Sequence, residues 1–255
     1  MTIHCRIYGE GEPVVLLHGW GMHGGIWRDF AERLAQTHRV VCVDLPGHGS
    51  SAEIPEFTLE SVCDRLYAAL GDTPACWLGW SMGGALALAM AKYYPETVAS
   101  IGLVASNPCF IASEDWPGMS LSQFERFSES LSNDCESTLL RFLSLQVNGL
   151  SDFKKLSKKL SAAMRESRMP SERILQDGLS LLKNTDFRAV LADLRIPAIA
   201  FFGDQDRLVP VDVGAALQEL NSQVRVSIVE GAGHAPFLSH RQTLTDALQQ
   251  FLAGR

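Results

Sequence analysis

The residue types needed for acyl transfer occur in this chain in a readable order: a serine in a tight turn, then an aspartate, then a histidine. Ser81 lies in Gly79-Trp80-Ser81-Met82-Gly83, which follows an apolar run and leads into Gly84, Ala85, Ala87 and Ala89. A strand, a sharp turn and a helix that begins with small residues hold such a serine in strained backbone at a sheet edge, beside helix dipoles that favour developing negative charge. The flanking glycines leave room where side chains would clash. A serine hydroxyl is a poor nucleophile until a base takes its proton. Of the seven histidines, His234 sits in Gly231-Ala232-Gly233-His234-Ala235-Pro236-Phe237, directly after the last predicted strand and at the same sheet edge. His18, the rival, sits in Leu17-His18-Gly19-Trp20-Gly21 and suits the ordering of that loop better. The base needs a carboxylate to fix its tautomer and stabilise its cation. Asp206 is the choice, with Asp204 as its rival in the same loop, and spacing alone does not separate the two.

The oxygen of a tetrahedral intermediate needs donors in place before the reaction, and removing one costs on the order of 3 kcal/mol. The loop after the second strand and the residue after the nucleophile supply them in this arrangement, which predicts the backbone N–H groups of Trp20 and Met82. Serine, histidine and backbone donors complete the chemistry, so no metal or organic cofactor is expected.

The elements that must position these residues follow from pattern. Short β-branched or apolar runs at 3–8, 14–17, 39–43, 75–79, 99–104, 198–202 and 224–229 alternate with helical stretches at 27–37, 59–70, 82–94, 213–220 and 241–253. That alternation predicts an α/β fold with a mostly parallel sheet and helices on both faces. The first two strands are separated by five residues, too few for a crossover, which predicts an antiparallel pair at one edge. From Asn107 to about Phe187 the alternation stops, and 122–131, 135–147, 153–166 and 171–183 each carry apolar residues at helical spacing. This predicts a core of 1–108 and 188–255 with a helical cap, 109–187, inserted between two strands.

The chain of 255 residues is 46% hydrophobic and carries a formal net charge of −7. It is long enough for one domain with an insertion, and its charge disfavours a nucleic-acid partner. The six cysteines are scattered, which suggests neither a zinc site nor a disulfide framework. No run approaches the roughly 20 apolar residues that span a bilayer, so the expectation is a cytoplasmic protein with no membrane partner, acting as a monomer.

With these residues in place the chain resembles the α/β-hydrolase superfamily over essentially its whole length, including the chain order Ser81, Asp206, His234. Within it the likeness is to the carboxylesterases of biotin synthesis. It is carried by Leu16-Leu17-His18-Gly19-Trp20-Gly21, Val43-Asp44-Leu45-Pro46-Gly47, Trp77-Leu78-Gly79-Trp80-Ser81-Met82-Gly83-Gly84, Ala105-Ser106-Asn107-Pro108-Cys109-Phe110 and Gly233-His234-Ala235-Pro236-Phe237. Asp115-Trp116-Pro117-Gly118 and Arg141-Phe142-Leu143-Ser144-Leu145-Gln146 extend it into the cap. The resemblance implies the methyl ester of a pimeloyl group on acyl-carrier protein as substrate, with a pimeloyl carboxylate and methanol as products. It also implies substrate contacts at Trp20, Ser81, Met82, Phe142, Leu143, Ser144, Leu145, Gln146 and His234, with Met82 in place of the usual leucine. Phe142, Leu143 and Leu145 read equally as cap core.

Carrier proteins of this kind are acidic. Residues 141–173 hold eight basic side chains against three acidic ones, with Lys154 and Lys158 at helical spacing and Lys155 and Lys159 beside them. Together with Arg141 they form a candidate docking patch, although a solvated helix face would look the same. Other esters, thioesters or carbon-carbon bonds would suit the same catalytic residues, and a non-catalytic binding protein on this scaffold stays open.

Overall fold

The computed structural model describes residues 2–254 of the chain. Its first half runs β1 (Cys5–Tyr8), β2 (Pro13–Leu17), α1 (Arg28–Leu34), β3 (Arg39–Val43), α2 (Leu59–Leu70), β4 (Ala75–Trp80), α3 (Met82–Tyr93) and β5 (Val98–Val104). Five helices follow before the next strand: α4 (Leu121–Asn133), α5 (Cys135–Leu145), α6 (Phe153–Arg165), α7 (Glu172–Asn184) and α8 (Arg188–Ala192). The chain closes with β6 (Ala198–Gly203), α9 (Val213–Leu220), β7 (Arg225–Val229), α10 (Pro236–Ser239) and α11 (Arg241–Ala253).

One sheet takes the order β1-β3-β2-β4-β5-β6-β7, parallel throughout except for β1. Its central strands have helices on both faces, which is why β4 and β6 are buried at every position and read as unbroken apolar runs. Side chains such as Trp77, Trp80, Phe201 and Phe202 fill the layers between sheet and helices.

The edge differs from the expected pairing. β1 does run opposite to β2, but its partner is β3, with Cys5 opposite Val43 and Tyr8 opposite Val40, and β3 lies between the two. The linker Gly9–Glu12 spans about 13 Å when extended, more than the two strand spacings of about 10 Å that it must cross. A short linker therefore fixes the direction of the next strand without making it a neighbour.

The helices between β5 and β6 bury apolar stripes that join the core around the sheet. In α6, Leu156, Leu160, Ala163 and Met164 are buried while the lysines face outward, the one-sided pattern of an amphipathic helix. Entry and exit of this segment meet at a bridge between Cys109 and Asp186, and the Phe187 N–H donates to the Pro108 carbonyl at 2.8 Å. The entry loop is organised by Asn107. Its Oδ1 accepts from the Trp116 indole at 2.8 Å and the Cys109 N–H at 3.1 Å, while its Nδ2 donates to the Pro117 carbonyl at 2.9 Å.

All six cysteines are free thiols, and burial pushes those of Cys42 and Cys63 up to about 12. Among the described residues, no helix is long and apolar enough to cross a membrane.

Candidate active site

Ser81 joins β4 to α3 with φ 54° and ψ −118°, a conformation that costs a non-glycine residue on the order of 1–3 kcal/mol. Neighbouring groups hold it there. The Ser81 N–H donates to the Val104 carbonyl at 2.9 Å, and the Ser81 carbonyl accepts from the Gly84 N–H at 2.9 Å and the Ser106 hydroxyl at 2.8 Å. A Cβ at Gly83 would stand 2.5 Å from the Leu17 carbonyl oxygen and 2.8 Å from that of His18. Only glycine lets α3 start this close to the end of β2.

His234 is 1% exposed and fixed on three sides. Its N–H donates to the Gln146 carbonyl at 3.1 Å, its carbonyl accepts from the Trp80 indole at 2.7 Å, and its Nδ1 lies 2.8 Å from Asp206 Oδ2. A proton on Nδ1 suits the carboxylate and leaves Nε2 as the lone-pair nitrogen. Nε2 is buried and makes no hydrogen bond, so its acceptor capacity is free for an incoming proton.

The structure also separates the two aspartates. The Asp206 side chain is 0% exposed, and its Oδ1 accepts from the Leu208 and Val209 N–H groups at 2.8 and 3.1 Å, which aims Oδ2 at the histidine. Asp204 instead accepts the Gly231 N–H at 2.7 Å and ties down the start of the histidine loop. One aspartate faces the imidazole and the other holds the backbone that carries it.

His18 belongs to the opposite loop. Burial, and then the neighbouring His48, pull its pKa down to about 3, so the ring is neutral near pH 7. Its Nε2 accepts the Leu45 N–H at 3.0 Å, which leaves Nδ1–H to donate to the Gly19 carbonyl at 2.8 Å. The ring thus braces the loop that carries Trp20. Neither the Trp20 nor the Met82 N–H takes part in the backbone hydrogen bonds that hold the surrounding turns. The Trp20 indole donates to the Leu175 carbonyl of α7 at 2.8 Å, and its ring meets Phe127 and Phe142 edge-on. A Cβ at Gly178 would come 2.9 Å from the Trp20 ring, so a glycine there lets α7 seat on the tryptophan.

Ser81 and His234 open into a cavity of about 390 Å³. Trp20, Phe142 and Leu145 line it too, as do Phe110, Phe124, Phe127, Leu179 and Leu182 from the inserted segment. Such a space is mostly apolar, with a few polar groups in its wall, as small-molecule sites commonly are. The other expected contacts fall elsewhere. Met82 is fully buried under α7, Leu143 faces the interior of the helical segment, and Ser144 lines a separate surface groove and donates to the Leu140 carbonyl. Gln146 is 2% exposed and meets the site only through the backbone carbonyl that grips His234. The cause is helical: consecutive residues of α5 point in different directions, so a run of five cannot all face one cavity.

Sequence reasoning does not reach Phe124, Phe127, Leu179 and Leu182, although the spacing of three within each pair is the mark of a shared helix face. Nor does it reach Ser106 and Trp80, whose polar atoms support the serine and histidine, and no pattern in the chain announces either contact.

This arrangement defines a class: a buried histidine–carboxylate pair and a strained serine on a mostly parallel sheet, facing one apolar cavity. Residues 12–241 match the α/β-hydrolase fold family, and the chain belongs to it. Among solved structures, an esterase from Exiguobacterium antarcticum superposes with a TM-score of 0.88 at 23% identity, covering 98% of this chain and 95% of that one. Within the family, the chain is similar to two pimeloyl-[acyl-carrier protein] methyl ester esterases. That of Methylococcus capsulatus is 38% identical over 254 residues, covering 100% of both chains, and that of Edwardsiella ictaluri is 39% identical over 248, covering 97% and 96%.

Proposed function

We propose that this chain is a serine carboxylesterase that hydrolyses the methyl ester of pimeloyl-acyl-carrier protein, the activity named for its full-length relatives. The observation that carries the chemistry is the buried, unpartnered Nε2 of His234 on the wall of the cavity that also holds Ser81. In this reading Ser81 Oγ attacks the ester carbonyl while Nε2 takes the hydroxyl proton. Asp206 keeps the imidazole in the required tautomer and stabilises its cation. The Trp20 and Met82 N–H groups receive the oxyanion. Collapse of the intermediate expels methoxide, which takes the proton from His234 and leaves as methanol. Water then attacks the acyl-enzyme with His234 as base, and the second collapse frees the pimeloyl carboxylate and restores Ser81.

The helical segment 109–187 acts as the cap over this centre, and Phe142 and Leu145 contact the acyl chain. Arg141, Lys154, Lys155 and Lys158 are exposed and enter no ion pair among the described residues, which leaves their charge available to an acidic carrier protein. Lys159 differs from them: its ammonium, also partly solvent-exposed, pairs with Asp29 of α1 at 2.9 Å, so its charge is already partly matched within the chain.

A fluorophosphonate probe tests the nucleophile directly. It should label the folded protein at Ser81, and labelling that persists in Ser81→Ala would show that another group reacts.

A further inference from the structure

The cavity lining contains one side chain with a permanent charge, and it has no part in the chemistry above. Arg207 follows the carboxylate that holds His234, and it shares the cavity wall with Ser81. Among the described residues it forms no ion pair and no hydrogen bond. Its guanidinium lies against the backbone of Gly149, in the turn between α5 and α6, where an added Cβ would come 3.2 Å from the terminal nitrogen. Arg207, Gln123 and Leu145 are the exposed members of the lining and so mark its mouth, whereas Ser81 and His234, at 8% and 1% exposure, lie deeper in it. Apart from Arg207, Gln123, Ser81 and His234, the lining is apolar, mostly phenylalanine and leucine.

A rigid planar cation with five donors at the rim of an apolar cavity is suited to a carboxylate. A guanidinium left without a partner in a partly apolar setting gains by acquiring one, and the gain is largest when the ligand's own carbon chain fills the space behind it. A ligand with these properties has an ester at one end, several methylenes, and an anion at the other end.

We infer that Arg207 binds the free carboxylate of carrier-free half-esters of α,ω-dicarboxylic acids, giving this protein a second substrate class and a preference for such half-esters over the neutral diesters. The inference rests on Ser81 acting in this cavity. The reaction is the same hydrolysis, with water consumed and a dicarboxylate and methanol released, and it needs no carrier and no basic patch on the cap.

The test measures kcat/KM for the monomethyl and dimethyl esters of the seven-carbon diacid in the wild type, Arg207→Gln and Arg207→Lys. The half-ester to diester ratio should fall at least tenfold in R207Q and recover in part in R207K, which restores charge without the planar fork. An equal fall on both esters in R207Q would show that the arginine serves only the fold, and would overturn the inference. A ratio unchanged by R207Q, with slower turnover of a phosphopantetheine-linked ester alone, would assign the cation to the phosphate of the carrier arm and also overturn it. A wild type that cleaves the diester but not the half-ester removes this inference alone. A wild type that cleaves neither carrier-free ester yet demethylates methyl-pimeloyl-acyl-carrier protein also overturns this inference and leaves the proposed esterase standing, whereas one that cleaves none of the three removes both.

Discussion

Replacing Asp206 by asparagine isolates the tautomer argument from the rest of the fold. The asparagine oxygen can keep both backbone contacts, from Leu208 and Val209, that Oδ1 makes now. Its amide then presents N–H, not a lone pair, to His234 Nδ1, which today lies 2.8 Å from a carboxylate oxygen. The ring answers by moving its proton to Nε2, and Nε2 loses the lone pair that must receive the Ser81 proton. The carboxylate that stabilised the imidazolium is lost at the same time. Together these should lower kcat by roughly 10³–10⁴-fold, equivalent to about 4–5.5 kcal/mol of barrier, with little change in KM. Asp204→Asn keeps an oxygen for the Gly231 N–H and should cost less than about tenfold. Steady-state hydrolysis of a soluble methyl ester by both variants decides the matter. A D206N enzyme within tenfold of wild type, or a D204N enzyme as impaired as D206N, would refute the reasoning.

Gly178→Leu drives a side chain into the Trp20 ring, which lies 2.9 Å from where even a Cβ would stand, so α7 must shift; KM should rise several-fold and the melting temperature should fall, and unchanged values of both would mean that α7 does not seat on Trp20. Charge reversal at Lys154 and Lys158 together should reduce kcat/KM for a carrier-bound ester about tenfold more than for a small soluble ester, with a weaker salt dependence, and equal effects on the two substrates would refute docking at this face. Burial holds His18 at about 3 and His48 at about 4, below the ordinary 6.5, so the unfolded chain binds more protons than the native one between those values. Stability is therefore complete above about pH 6.5 and should fall as the pH drops toward 4, by up to about 1.4 kcal/mol per pH unit for each histidine. Urea unfolding at pH 7 and pH 5 reads this, and equal midpoints would contradict it.

Much of this site is legible in the sequence because its chemistry is tied to local backbone. Ser81 needs a strand, two glycines and a helix in immediate succession, and His234 must follow a strand that ends at the same edge. Asp204 and Asp206 are not separable that way. The choice depends on which carboxylate turns toward the imidazole, and that is settled by backbone donors at Leu208 and Val209 and by Gly231, which is distant in the chain. The sheet is readable for a similar reason: strands buried on both faces write continuous apolar runs, whereas the neighbour of an edge strand is decided by tertiary packing, as β1 shows. In the inserted helices periodicity locates each helix but does not say which buried stripe faces a cavity and which a neighbouring helix. Leu143 and Leu145 lie two residues apart on α5, and only the second reaches the cavity.

The proposed activity turns on one chemical event, the loss of a methyl group from a carrier-bound ester at Ser81. Purified protein mixed with methyl-pimeloyl-acyl-carrier protein should release one methanol per carrier and leave a carrier lighter by one methyl-for-hydrogen exchange in intact mass. Ser81→Ala should leave the ester whole. A wild type that turns over short p-nitrophenyl esters through Ser81, yet leaves methyl-pimeloyl-acyl-carrier protein intact, would contradict the proposed substrate.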